Sequence, residues 1–247
     1  MKKNFYFLFL MISSFCFSQT YHFDHLIKYL SVNKTTGFQD YGIILINSKD
    51  PTYEGKLNAF TKNDIIDFTI SDKKRDLAHT YLIARKAPPN LASNYKYKNS
   101  GYSYFSTEKR AKDEKGNHFE ETLLEKTETG KKMLLKKFRT SKSNKPEIVL
   151  TADYADFDVD LRAFNFNHLF SVDASNVTLQ GSEKSYIKHA EWEINKVSGA
   201  YDAEVFKFDL NLTIKPGEMK LPKEKPERKE FNLEDMKKEV LEQRARN

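Results

Sequence analysis

The sequence has few of the residues that brace or hinge a small domain. Its 247 residues include one cysteine, nine glycines, seven prolines and one tryptophan. The only thiol is Cys16, so the body of the chain can form no disulfide and offers no cysteine nucleophile. No Gly-x-Ser-x-Gly elbow and no glycine-rich phosphate loop is present. His118 and His189 precede Phe119-Glu120-Glu121 and Ala190-Glu191-Trp192-Glu193, neither of which completes the His-Glu-x-x-His of a metalloprotease helix. No apolar run approaches the roughly 20 residues needed to span a bilayer as a helix. The charges are interspersed rather than blocked by sign, which argues against nucleic acid as a partner.

Three features are present instead. The chain opens with Met1-Lys2-Lys3-Asn4, an apolar run from Phe5 to Ile12, and then Ser13-Ser14-Phe15-Cys16-Phe17-Ser18-Gln19. A basic start, a short apolar stretch and small residues at alternate positions have the layout of a secretory signal peptide, with the cut expected after Ser18. Removing that segment takes Cys16 with it and lowers the net charge from +6 to +4. Lipidation at Cys16 is disfavoured by the bulky Phe15 before it. The expected destination lies outside the cytoplasm, periplasmic or secreted, with no transmembrane span in the mature chain.

The second feature is an abundance of aromatics, 19 Phe and 13 Tyr, which supply the apolar area that disulfides do not replace. They fall in short segments separated by polar turns. Strands are expected at Tyr21–Leu30, Tyr41–Ile46, Tyr53–Phe60, Ile65–Ile70, Leu77–Ile83, Tyr95–Phe105, Phe119–Lys126 and Lys132–Thr140. Ile148–Tyr154, Phe157–Leu161, Phe164–Phe170, Ser185–Lys196 and Ala203–Ile214 continue the series, the last two joined by a turn at Val197–Ala200. Connections this short cannot make parallel crossovers, so the expected fold is all-β: an antiparallel, strongly curved sheet or open barrel. One β domain would span residues 19–214, with Pro88-Pro89 marking a possible subdomain break near 86–94. The third feature is the segment 215–247, rich in Pro, Lys and Glu, which reads as a solvated linker. Asn232 can cap a short helix there through Arg244, with Leu233, Met236 and Val240 on one face.

Two residue clusters are candidate sites. Asp156, Asp158 and Asp160 alternate in a way that could chelate Ca²⁺ through oxygen ligands. An EF-hand loop counted from Asp156 would need Gly and Glu where Leu161 and Asn167 stand, and a strand with Phe157, Val159 and Leu161 facing inward explains the spacing more simply. Tyr95, Tyr97, Tyr102 and Tyr104 interleave with Lys96 and Lys98, a pattern that can stack on sugars or bases while cations steer anions. The same pattern suits an edge strand guarded by lysines. No catalytic residue is singled out.

The stretch Tyr21-His22-Phe23-Asp24-His25-Leu26-Ile27-Lys28-Tyr29, followed by Ile46-Asn47-Ser48-Lys49-Asp50-Pro51-Thr52-Tyr53, resembles the N-terminal part of uncharacterised secreted β-rich envelope proteins of Gram-negative bacteria, the GLPGLI-like group. The resemblance covers roughly residues 21–85, and the group's namesake motif is absent from this chain. It implies export and a β fold, and carries no activity. Together these readings lead to an expectation of non-enzymatic binding of a lipid, a glycan or another envelope component. The alternatives are an exported hydrolase acting through carboxylates, and an interaction protein acting through its tail.

Overall fold

A computed structural model of the chain describes residues 18–221, apart from 59–62, 104–113, 115, 171, 178, 180–182, 195–196 and 216. The expected signal segment and the tail helix at 232–244 lie outside the described residues. Eleven strands form one antiparallel sheet that does not close on itself. They are β1 (Gln19–Asn33), β2 (Gln39–Asn47), β3 (Asp50–Leu57), β4 (Ile65–Asp72), β5 (Leu77–Ala84), β6 (Lys96–Tyr102), β7 (His118–Thr127), β8 (Gly130–Phe138), β9 (Ile148–Asp156), β10 (Ser185–Ile194) and β11 (Val197–Ile214). The spatial order is β6-β5-β4-β3-β2-β1-β11-β10-β9-β8-β7. Every strand lies beside its sequence neighbour except at the centre and the edges, where β1 meets β11 and where β6 and β7 end the sheet. The Pro88-Pro89 segment therefore connects two adjacent strands, β5 and β6.

The two halves of the sheet bury opposite faces. Successive side chains on a strand point to opposite sides, and β2 uses both. Its Ile44 and Ile46 join one apolar cluster with Ile27, Tyr29, Leu150, Ala152 and Tyr201, whereas Leu45 joins another with Leu26, Phe68, Ile70 and Tyr81. The first cluster is filled from above by α1 (Arg162–Phe170), which brings in Phe164, Phe166 and Phe170.

The second cluster is closed by the sheet itself. β1 pairs with β2 only from His25 onward, while residues 19–23 stay paired with 210–214 of β11. Between Phe23 and His25 the register slips, so that Phe208 and Asp209 together oppose Asp24. Such a bulge bends the ribbon. The bent end lays Tyr21 and Phe23 over the β3–β5 face, with ring centroids 5.1 Å from Tyr21 to Tyr53 and 5.9 Å from Phe23 to Phe68. Gly55 makes that closure possible, because a Cβ there would meet the Phe68 ring at 2.2 Å and the Phe23 ring at 3.3 Å.

Polar groups released where β1 leaves β2 find replacement partners. The Tyr53 hydroxyl donates to the His22 carbonyl at 2.8 Å and accepts from the His22 N–H at 3.2 Å. Asp24 accepts from the Ser48 N–H at 2.8 Å and the Ser48 hydroxyl at 2.5 Å, tying the β2–β3 turn to the bend. Burial alone would raise the Asp24 carboxyl, yet the Ser48 donors and His25 hold it below the ordinary range. Asp72 is buried and accepts from the Tyr21 hydroxyl, the Gln19 amide, the Arg75 N–H and the Arg75 guanidinium.

Three sequence expectations are corrected. Phe157–Leu161 is a loop, Phe164–Phe170 belongs to α1, and Val197–Ala200 opens β11 rather than turning. The Phe-Asn-Phe-Asn alternation at 164–167 suggests period two, but the helix places Phe166 and Phe170 one turn apart, with centroids 4.9 Å from each other. Asn165 then docks the helix, donating to the Tyr201 hydroxyl and accepting from the Ile187 N–H, each at 3.0 Å. That N–H lies beside a register shift between Ile187 and His189, so the helix is anchored where the β9–β10 ladder is irregular.

Gly55→Ala is expected to cost about 1–3 kcal/mol through overpacking, read from urea unfolding, with the far-UV spectrum unchanged. Two histidines set a pH dependence. Burial pushes His79 and His168 down to about 4 from the usual 6.5, so the folded state holds both neutral. The unfolded chain binds more protons between those values, so their contribution to stability is complete above about pH 6.5 and is lost as pH falls toward 4. His79→Gln is expected to flatten the fall of the urea midpoint across that window.

Candidate binding groove

With both cores filled, open space lies on the outer face of the central strands. The register builds it in rows. Tyr41 of β2 stands opposite Leu30 of β1, Leu30 opposite Asp202 of β11, and Asp202 opposite His189 of β10. In the next row Ile43 pairs with Lys28 and Lys28 with Glu204. These side chains point away from the core because their strand neighbours, Tyr29, Tyr201 and Ala203, point into it. The result is a groove of about 380 Å³, lined by Tyr41, Leu30, Lys28, Lys188, His189, Asp202 and Glu204.

Its electrostatics are mixed. The His189 Nδ1 and Asp202 Oδ1 share a 2.7 Å hydrogen bond. The Lys28 ammonium sits 4.9 Å above the Phe206 ring, a cation–π contact that holds it at one end. Tyr41 is exposed at 38 %, so part of its ring is free to stack.

The groove has little that would support hydrolysis. Asp202 and Glu204 are two positions apart on one strand, a spacing of about 6.6 Å between their Cα atoms. An inverting glycosidase needs one of its two carboxyl groups kept protonated by its surroundings. Here both are exposed, and Asp202 is committed to His189.

The tyrosine cluster lies elsewhere. Tyr95 is buried in the second core, its ring 5.1 Å from Phe68 and its hydroxyl donating to the Pro89 carbonyl. Tyr97 is half-buried against Tyr81, and its hydroxyl shares a 2.5 Å hydrogen bond with Ser100. Tyr102 ends β6 half-buried, and Tyr104 lies outside the described residues.

The three aspartates take separate partners. Asp156 is exposed at the end of β9. Asp158 pairs with Lys207 at 2.6 Å. Asp160 forms a fork with Arg162, at 2.9 Å to Nε and 2.7 Å to Nη2. Among the described residues no three His, Cys, Asp or Glu side chains converge as a metal-holding group.

Asp160 belongs instead to a buried ionic network at the start of α1. Arg162 is 1 % exposed and also donates from Nη1 to Glu121 at 2.9 Å, while the Tyr154 hydroxyl donates to Glu121 at 2.5 Å. Burial, reinforced by Glu121, pushes the Tyr154 phenol well above its ordinary value. Lys131, ion-paired with Glu183, lies 5.4 Å over the Tyr154 ring, and burial followed by Arg162 lowers its ammonium.

The groove residues carry no local motif. Lys28 and Leu30 are merely the off-phase positions of an apolar alternation. Their partners Asp202 and Glu204 lie more than 170 positions away in sequence. Only the exposed alternation of Asp202 and Glu204 with buried Tyr201 and Ala203 hints at an outward-facing pair.

The fold and groove define an open-faced antiparallel β-sheet protein with an external groove. No protein-family model matches this chain, and a comparison with curated proteins finds no match.

Arg162→Ala is expected to destabilise by about 3–5 kcal/mol, because it strands Glu121 in a buried position. The double variant Arg162→Met with Glu121→Leu is expected to cost clearly less than the sum of its singles, measured by a double-mutant unfolding cycle.

Proposed function

We propose that this is an exported, non-enzymatic binding protein of the Gram-negative cell envelope, and that it holds a glycan in the groove across β2, β1, β11 and β10. The observation that carries the reading is the row of a partly exposed Tyr41 ring beside Lys28, Asp202, Glu204 and His189 on four paired strands. A sugar presents an apolar face for an aromatic ring and hydroxyls for carboxylates and amines. The sheet fixes these groups, so little ordering is needed on binding. A lipid chain would need an apolar cavity, and the apolar sheet face of the first core is occupied by Phe164, Phe166 and Phe170 of α1. The N-terminal signal pattern and the resemblance of residues 21–85 to secreted envelope proteins support the location. No helix among the described residues is long and apolar enough to cross a membrane.

Calorimetric titration with soluble envelope polysaccharides tests the proposal. The unsubstituted chain is expected to bind at least one of them, and Tyr41→Ala or the pair Asp202→Asn with Glu204→Gln to weaken binding about tenfold or more, near 1.4 kcal/mol. Tyr97→Phe, remote from the groove, is expected to bind unchanged. Equal binding by the groove variants, or binding to phospholipid vesicles alone, would overturn the reading.

A further inference from the structure

We infer that Asn211 is the acceptor of an N-linked glycan, attached before the last strand closes the sheet. The inference rests on the export reading and is independent of the groove. Three segments of the sequence have the Asn-x-Thr pattern of an acceptor: Asn33-Lys34-Thr35, Asn176-Val177-Thr178 and Asn211-Leu212-Thr213. The structure separates them by what each asparagine side chain already does.

Asn33 is half-buried and fastens the β1–β2 turn, its Oδ1 accepting from the Thr35 N–H at 3.0 Å and the Thr36 N–H at 2.9 Å. Asn176 donates from Nδ2, the atom that would carry the sugar, to Glu114 Oε2 at 2.8 Å. Asn211 is exposed, and its 3.0 Å contact with His22 Nδ1 uses Oδ1 rather than the nitrogen. The side chains that this stretch of β11 commits to the second core are the alternate ones, Leu210, Leu212 and Ile214. Asp209, Asn211 and Thr213 stand exposed between them, so a bulky, hydrated glycan there projects into solvent without displacing a packed group. An acid two positions ahead of the asparagine occurs at this segment and at neither of the others, and the Asp209 side chain is 83 % exposed. A transferase is thus offered a carboxylate, an amide and a hydroxyl in one short run.

The run is also reachable during folding. Among the described residues β10 pairs with β11 over Val197–Asp202, so the far end of β11 has β1 as its single neighbour. That neighbour, Gln19–Phe23, lies at the opposite end of the exported chain, and 210–214 can pair with it only once the full domain is available. In the transfer, Nδ2 of Asn211 attacks the anomeric carbon of a glycan carried on a polyisoprenoid diphosphate. The new C–N bond replaces the C–O bond to phosphate, the diphosphate leaves with that bond's electron pair, and the amide gives up one proton to a base of the transferase.

Intact-mass and peptide mass spectrometry of the mature chain, purified from the envelope of the bacterium that makes it, tests the inference. A glycan mass is expected on the peptide that holds Asn211. Asn211→Gln and Thr213→Ala are expected to return the chain to its bare mass, Thr213→Ser to keep the modification, and Asp209→Asn to lower its occupancy severalfold. Asn33→Gln and Asn176→Gln are expected to leave it unchanged. Because residues 209, 211 and 213 are exposed, far-UV circular dichroism of the variants is expected to match that of the unsubstituted chain. A chain that has lost residues 1–18 but is bare at Asn211, or that carries its glycan on Asn33 or Asn176, overturns the inference and leaves export standing. A bare chain that keeps residues 1–18 overturns both.

Discussion

The pairing of the first strand with the last is the constraint on which the rest of the architecture depends. β1 is flanked by β2 on one side and β11 on the other, but it keeps both neighbours only from His25 to Val32. Below His25 it follows β11 and leaves β2, and the bulge at Phe208–Asp209 turns the ribbon over the N-terminal half. That single departure gives the molecule two cores on opposite faces of one sheet. It also explains why β2 is apolar on both sides, with Ile44 and Ile46 serving one core and Leu45 the other.

Where β1 leaves β2, where the β9–β10 ladder slips and at the β2–β3 turn, a side chain takes over the freed backbone groups or fixes the turn. Tyr53 serves both the donor and the acceptor of His22, Asn165 serves the Ile187 N–H, and Asp24 fastens the turn at Ser48. An unsatisfied buried polar group costs about 1–3 kcal/mol, comparable with the worth of a buried apolar side chain, so these replacements are as necessary to the fold as its aromatic rings. The outer groove follows from the same geometry. Past Leu26 and Leu45, which serve the second core, the face of the central strands opposite α1 is open, and Lys28, Asp202 and Glu204 stand there.

The fold class was legible in the chain because short apolar segments between polar turns permit little besides an antiparallel sheet. Local pattern failed where two periods coincide. Phe164, Phe166 and Phe170 satisfy a strand alternation and a helical turn equally, and only the apolar sheet surface beneath them decides for the helix. The tyrosines at 95 and 97 illustrate a different limit. Alternation with lysine shows that two faces exist but not which one is covered, and the bent β1–β11 ribbon covers the tyrosine side. The aspartates at 156, 158 and 160 were dispersed by the loop that replaces the expected strand. The groove was not legible at all, since its rows join Lys28 to Glu204 and Leu30 to Asp202 across nearly the whole chain.

The central ladder between β1 and β11 has a further consequence for how the molecule comes into being. The strand that leads the chain cannot find its second neighbour until the residues near Ile214 are available, and the second core cannot close without Leu210, Leu212 and Ile214. Closing a loop of that length before any reward is collected is an entropic delay that local hairpins do not face. The β2–β5 meander can form early, but Leu45, Phe68 and Ile70 then wait uncovered for the ribbon that will bury them. Folding is therefore held open until the last strand arrives.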